Sequence, residues 1–380
     1  MTFTDLGVVP ELVAALAAQQ ITEPTAIQQA AWPVLSAGKS AYLAAETGTG
    51  KTLAYLLPLL CRIDTALTTP QVVVAAPTHE LAIQIQHLCA DLTRAAGWPV
   101  RSALLIGGTS IPRQLEKLKT KPHLVVGSPG RLRELIALRK LKMHAVATIV
   151  VEEADHVLAQ ESLADVQSTL LAAPRDRQLV FVSATVTPAC TEAIAAFTPD
   201  VVMVATRPNQ VNPAIEHLYL VCEERDKPDV LRRLLHALGA SRTMVFVHRS
   251  ETAEVVTAKL RHHHMAVADL HSVRLKEDRR QAMAGFRSGE VPVLIVSDVA
   301  ARGLDIADIT HIVNLDAPTA SMGYLHRVGR TARARASGQA ITLFTQDEET
   351  RLVTRFEREL GIVLQPVHLR EGQVRVSTPV

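Results

Sequence analysis

Short apolar runs alternate with helix-patterned segments along this chain of 380 residues, and the alternation occurs twice. That pattern predicts parallel sheets covered by helices. In the first half the expected strands are 41–45, 71–76, 101–106, 123–126, 146–151 and 178–183, with helices at 53–60, 80–95 and 131–138. Near-continuous apolar character at 72–76 and 147–151 implies sheets buried on both faces. In the second half the expected strands are 215–222, 243–247, 265–270, 291–296, 311–315 and 339–344, with helices at 227–238, 250–262, 276–287 and 347–360. Between the halves ATRPNQVNP, at 205–213, has two prolines and little to bury. The expected domains are therefore 1–205 and 215–380, joined by a linker at 206–214.

The chain is longer than one core usually supports, which agrees with two domains. Its hydrophobic content of 48% and charged content of 21% exclude a disordered polymer. A net charge of +2 neither demands nor excludes nucleic acid, because a groove can be locally basic on a nearly neutral protein. The four cysteines (Cys61, Cys89, Cys190, Cys222) are far apart and read as reduced thiols rather than disulfide or zinc ligands. With no signal-peptide pattern and no run of 18 apolar residues, a soluble, cytoplasmic protein that does not enter a membrane is expected.

Residues 45–52 read AETGTGKT, between an apolar strand and an apolar helix, which is the context of a phosphate-binding loop. Gly48 and Gly50 let backbone N–H groups turn inward around Thr49, and the following helix adds its positive end. Lys51 can then reach phosphates and the Thr52 hydroxyl can hold Mg²⁺. After the strand at 146–151 come Glu152, Glu153, Ala154 and Asp155. Carboxylates at the carboxyl end of a parallel strand near such a loop serve the metal and the attacking water. Glu152 is expected on the metal side, Glu153 as the base, and Asp155 as a tie to neighbouring segments. HRVGRTAR at 326–333 places Arg330 and Arg333 three apart, facing one way if helical, with no pairing carboxylate close in sequence. The second half carries no phosphate loop of its own, which suggests ATP held between two domains.

With these motifs in order, the chain resembles a DEAD-box RNA helicase of superfamily 2 over roughly residues 1 to 350. Phe3 with Pro24, Thr25, Ile27 and Gln28 resembles the adenine-recognising Q motif, Phe3 as its stacking aromatic. PTHELA at 77–82, the pair Gly107–Gly108 and SPGRL at 128–132 resemble the RNA-contacting motifs of the first domain. EEAD at 152–155 stands in the place of the name-giving tetrad, and SAT at 183–185 resembles motif III. VFVHR at 245–249, SDVAARGLDI at 297–306 and HRVGRTAR resemble motifs IV, V and VI.

The resemblance implies two tandem RecA-like α/β domains that close on ATP, Mg²⁺ and single-stranded RNA and unwind short duplexes locally. It assigns Gln28 to the adenine edge, Lys51 and Thr52 to phosphates and metal, Glu153 to water, and Arg330 and Arg333 to the γ-phosphate. Asp305 would bind the ribose, and His326 would link the γ-phosphate region to Glu153 and motif III, with Asp155, Ser183 and Thr185 coupling the motifs. RNA contacts would come from Thr78, Gly108, Pro129, Gly130 and Arg131, and from His248, Arg249, Arg274, Ser297 and Thr331. Such contacts position phosphates without reading bases, so sequence preference should be weak.

Several residues depart from the pattern: Glu152 for aspartate, His79 for arginine, Lys276 for glutamine, and Ser272 and Ala332 for glycines. Because Mg²⁺ demands near-ideal geometry, the longer Glu152 predicts slower hydrolysis rather than none. An RNA-dependent clamp with weak hydrolysis and a DNA-directed translocase stay open as alternatives. The triplet His262–His263–His264 reads as a basic helix end rather than a metal site, and Trp32 and Trp98 as packing residues. A monomer is expected, with an accessory protein as one source of target choice.

Overall fold

A computed structural model describes the chain except residues 47, 159–161, 207–210, 240–241, 272–275, 302–303, 305, 307, 333–336 and 378–380. The chain divides into two compact units, Met1–Pro208 and Asn209–Val380.

In the first unit seven strands form one parallel sheet: β1 (Ala41–Ala45), β2 (Val72–Ala75), β3 (Ser102–Leu105), β4 (Leu124–Gly127), β5 (Thr148–Glu152), β6 (Gln178–Ser183) and β7 (Val202–Thr206). Their order is β3-β4-β2-β5-β6-β1-β7. Alternation along each strand feeds two cores. Ala41, Leu43 and Ala45 face one side, with the helices Lys51–Leu60 and His79–Ala95. Tyr42 and Ala44 face the other, with Ile111–Lys119, Pro129–Ala137 and Leu163–Ala172. This is why the strands read as uninterrupted apolar runs. Trp32 and Trp98 pack against the first core, as expected. β7 runs one residue into the expected linker, taking in Thr206. Its short, half-exposed edge position leaves only Val204 buried and therefore a weak apolar signal.

The second unit is an eight-stranded sheet: β8 (Ile215–Val221), β9 (Thr243–Phe246), β10 (Val267–Asp269), β11 (Val293–Val296), β12 (His311–Asn314), β13 (Gly338–Phe344), β14 (Gln365–Arg370) and β15 (Gln373–Val376). The order is β10-β11-β9-β12-β13-β8-β14-β15, parallel except for the β14–β15 hairpin. That hairpin is not among the strands expected from the sequence. Its two-residue turn, Glu371 (φ 53°) and Gly372 (φ 73°), has both positions left-handed, the geometry that matches strand twist. The histidine triplet does end the helix Ser250–His262, with His264 left-handed at φ 59°. All four cysteines are free thiols.

His217, on β8, is buried, and its Nδ1 lies 2.8 Å from the Tyr324 hydroxyl. Burial pushes its pKa down to about 4. The unfolded chain, titrating near 6.5, therefore binds more protons between those values. The stability gained from keeping this ring neutral is complete above pH 6.5 and is lost as pH falls toward 4, on the order of 3 kcal/mol. His217→Asn should lose less stability than the parent between pH 7.5 and pH 4.5 in urea unfolding. Equal losses would contradict the assignment.

Candidate functional site

The phosphate-loop sequence leaves β1 and enters the helix Lys51–Leu60 through two left-handed glycines, Gly48 and Gly50, each with φ 84°. At Gly50 a Cβ would meet Gln28 Nε2 at 2.4 Å, so shape as well as dihedral demands glycine. Gln28 is buried; its Nε2 donates to Gly50 O at 3.1 Å and its Oε1 accepts from Thr25 N at 2.9 Å. It thus closes a capping box on the helix Ala26–Ser36 and clamps the loop to it. Inside the loop, Lys51 Nζ donates to Ala45 O (2.6 Å) and Glu46 O (2.8 Å), and Thr49 Oγ1 donates to Glu46 O (2.7 Å). Phe3 requires a correction. Its ring is 1% exposed inside the core beside Leu12 and Ile27, so it is packed rather than offered as a stacking face.

Two strand positions from β1, β5 ends in Glu152, buried, with Oε1 at 3.5 Å from Thr52 Oγ1. Burial pushes the Glu152 carboxyl up to about 7, against the pull of the Lys51 ammonium. Glu153 follows in the left-handed region at φ 48°, which a side-chain-bearing residue adopts at a cost of roughly 1–3 kcal/mol. Its Oε2 is buried with no hydrogen-bond partner among the described residues. Strain and an unpaired buried carboxylate oxygen coincide on one residue, and such pairings mark functional sites.

Thr185 is held at three polar atoms. Its hydroxyl donates to Asp155 Oδ2 at 2.5 Å, its N–H donates to Ser183 Oγ at 3.1 Å, and its carbonyl accepts from the Tyr42 hydroxyl at 2.9 Å. The sequence reading missed Tyr42. The available signal was a lone phenol in an aliphatic strand, since a buried tyrosine hydroxyl needs a partner.

Elsewhere on the same sheet edge, Thr78 caps the helix His79–Ala95, accepting from Leu81 N at 3.2 Å. Gly108 is left-handed at φ 67°, and Pro129 and Gly130 open the helix Pro129–Ala137. Arg131 was read as a candidate phosphate contact, yet its side chain is only 10% exposed. It pairs with Glu134 at 2.9 Å and donates to Thr109 O at 2.9 Å, which commits it to fixing the Gly107–Gly108 turn.

In the second unit the organising residue is Arg327, 1% exposed and not singled out from the sequence. Its five N–H groups find five acceptors. Nε and Nη2 grip Asp298 at 2.6 and 2.7 Å, Nη1 reaches Asn314 Oδ1 (3.2 Å) and Asp316 O (2.7 Å), and Nη2 also reaches His248 Nε2 (2.7 Å). The guanidinium lies 5.0 Å over the Phe246 ring. Because arginine only donates, His248 Nε2 is the acceptor and the ring proton sits on Nδ1. The carboxylate that pairs with this segment, Asp298, is 29 residues away in sequence and meets Arg327 rather than Arg330. His326 precedes Arg327 on the helix Ser321–Val328 and is half-buried. That helix ends at Val328, before Arg330, and the expected pairing of Arg330 with Arg333 lies outside the described residues. Arg330 Nη1 donates to Leu304 O at 2.9 Å from the following turn.

Thr331 also requires correction. It is 2% exposed, its hydroxyl donates to Ile309 O, and it fills the space beside Gly338, so it is a packing residue rather than an open RNA contact. Ser297 Oγ accepts from Ala300 N at 3.1 Å, and Arg249 stands exposed before the helix Ser250–His262. Arg274, Asp305 and Arg333 lie outside the described residues, as does Ser272.

The pattern of the DEAD/DEAH box helicase domain matches residues 25–193, and that of the helicase conserved C-terminal domain matches residues 226–335. The chain is 41% identical over 357 residues to the DEAD-box ATP-dependent RNA helicase CshC of Bacillus cereus, covering 94% of this chain and 91% of that one. It is 38% identical to the probable ATP-dependent RNA helicase YfmL of Bacillus subtilis, over 93% of each chain. Among solved structures, S. cerevisiae Dbp5 bound to RNA and ADP BeF3 matches with a TM-score of 0.88 at 28% identity, covering 96% of this chain and 95% of that one. This chain belongs to the DEAD-box helicase family, and each unit is a RecA-like α/β domain.

Arg327→Leu should destabilise the second unit by about 1–3 kcal/mol, because the fully buried Asn314 is left without its partner while Asp298, 44% exposed, returns to water. Urea unfolding measures this, and a loss below about 1 kcal/mol would show that the network is not a stabilising centre.

Proposed function

We propose that the chain is an ATP-dependent RNA helicase that closes on ATP and single-stranded RNA and separates short duplexes locally. The observation that carries this reading is the pairing, at one sheet edge, of a glycine-shaped phosphate loop with the strained, partly unpaired carboxylate of Glu153. Lys51 binds the phosphates and gives up its hold on the loop carbonyls to do so, with Gly48, Thr49 and Gly50 supplying backbone N–H groups. Gln28 uses one hydrogen-bonding capacity at each end of its amide within the protein, and the remaining donor and lone pair suit an adenine edge. Glu153 takes the proton of the attacking water, and its unpartnered Oε2 is the atom suited to that task.

Magnesium fits the donors present: a hydroxyl, a buried carboxylate and an adjacent unpaired carboxylate oxygen form a hard oxygen set. Thr52 and Glu152 would hold the ion, which would supply charge neutralisation at the phosphates. Arg330, with Arg333 and Asp305 by family likeness, serves the γ-phosphate and ribose, and His326, one residue before Arg327, serves the γ-phosphate region by the same likeness. Thr78, Gly108, Pro129 and Gly130 contact RNA phosphates in the first unit, with His248, Arg249, Arg274 and Ser297 in the second. A reading as a clamp with weak hydrolysis is favoured by one feature, the longer Glu152 in place of aspartate within EEAD. We place the protein in the cytoplasm as a monomer, with an accessory protein as one source of target choice. No helix among the described residues is long and apolar enough to cross a membrane.

Glu153→Gln keeps the shape and removes the base, so ATP and RNA binding should persist while turnover falls by about 10²-fold or more. Turnover near the parent rate would remove Glu153 from the role of base. Tyr42→Phe deletes only the hydroxyl that holds the Thr185 carbonyl. Duplex displacement per ATP hydrolysed should drop about fivefold, the factor of losing one hydrogen bond of ~1 kcal/mol, with ATP affinity unchanged. An unchanged displacement-to-hydrolysis ratio would limit Tyr42 to packing.

A further inference from the structure

One face of the first unit carries a charge that the site does not use. Residues 111–142 hold nine Lys and Arg against two Glu, whereas the whole chain is only +2. Arg113, Lys117, Lys121, Arg139, Lys140 and Lys142 are all exposed, and none has an ion-pair partner among the described residues. Among the described residues the ion pairs of this segment are Lys119 with Glu116, Arg131 with Glu134, and Arg133 with Asp165. The concentration is thus positional rather than a property of the composition.

The fold brings the six cations to one side. The helices Ile111–Lys119 and Pro129–Ala137 pack on the same core, through Ile111, Leu115 and Leu118 in one and Leu132 and Leu135 in the other. Arg113 and Lys117 are four apart on the first helix and so share its outer ridge, with Lys121 just past its end. Beyond the second helix, Leu141 and Met143 are buried while Lys140 and Lys142 remain exposed. Backbone bonds fix the spacing at the foot of the sheet: Gln71 N donates to His123 O at 2.7 Å, and Ala147 N to Gln71 O at 2.8 Å. Neighbouring strands lie about 4.8 Å apart, so the strand feet entered by the two basic segments are about 10 Å apart.

Both helices begin at the loops proposed to contact RNA, Gly108 before one and Pro129–Gly130 at the start of the other. A strand held there and continuing over a helix of nine residues travels about 14 Å before it meets the basic cluster. We propose that this face is a second RNA-contact surface, which holds the phosphate backbone of the segment flanking the strand bound at the loops. The proposal rests on the RNA reading of the site. Lysine and arginine without interleaved aromatics suit phosphates rather than bases, so the contact is indifferent to sequence. The patch also lacks the buried aromatic anchors of a protein-binding face, its one large exposed apolar residue being Leu138.

The test is the quadruple variant K117Q/K121Q/K140Q/K142Q, made at exposed positions outside the ATP machinery. Its affinity is measured over a salt series with single-stranded RNAs of about 8 and about 30 nucleotides, lengths chosen around one binding-site size. On the long RNA the variant should bind about tenfold or more weakly at low salt, with a salt slope shallower by about 3, as expected for four lost phosphate contacts. On the short RNA its affinity and its RNA-stimulated ATP turnover should equal the parent's. Unchanged affinity and slope on the long RNA overturn the proposal, and weakened binding to polyglutamate in that case reassigns the face to an acidic protein. Equal weakening on both lengths also overturns it, by making the lysines part of the primary site. If the parent binds neither RNA, the RNA reading itself fails, a result separable from the others because it does not involve the variant.

Discussion

The turn out of β1 is the constraint on which the site of the first unit depends. Gly48 and Gly50 are both left-handed, and a Cβ on Gly50 would lie 2.4 Å from the Gln28 amide nitrogen. The chain can therefore reverse into the helix Lys51–Leu60 with its N–H groups turned inward, and Gln28 locks the last residue of the turn. The placement of Lys51 and Thr52 on the first turn of that helix follows. So does the approach of Thr52 to Glu152, because β1 and β5 flank β6 in one parallel sheet and end at the same edge. In such sheets the carboxyl ends of strands gather functional groups that are remote in sequence.

The second unit solves a different problem with one buried charge. Arg327 is removed from water at a cost that only a full set of partners offsets. It has them: a carboxylate gripped at two oxygens, an amide, a carbonyl and an imidazole, from the segments after β9, β11 and β12 and from the end of β12 itself. The network fixes His248 and Asp298 to the helix Ser321–Val328. Nearby, Ala332 adopts φ 53°, a conformation that glycine accepts without strain and alanine does not. The glycine missing from the sequence pattern at this position thus has a backbone cost, not merely a formal difference.

Local pattern made much of this legible. Periodicity located twelve of the strands, because buried parallel strands are written as continuous apolar runs, and the phosphate loop and carboxylates could be read because their glycines and charges lie within a few residues. What stayed hidden was pairing across the chain. Tyr42 meets Thr185 and Arg327 meets His248 over separations of 143 and 79 residues. Phe3, Arg131 and Thr331 sit at motif positions, yet burial or prior commitment to carbonyls and carboxylates takes them out of direct contact. Residue type and spacing announce a motif, whereas its side chains' availability depends on packing that spacing does not encode. The edge strands β7 and β15, and β14 beside the latter, escaped for the converse reason, because little of them is buried and their apolar signal is weak.

On the proposed reading, RNA rather than nucleic acid in general switches on the hydrolysis of ATP at this edge of carboxylates and phosphate loop. Initial rates of ATP turnover without nucleic acid, with single-stranded RNA and with single-stranded DNA test it most directly. The account predicts low turnover alone, a rise of about tenfold or more with RNA, and little response to DNA, since distinguishing the two requires contacts to the 2′-hydroxyl. Equal stimulation by DNA and RNA, or turnover indifferent to both, would contradict it.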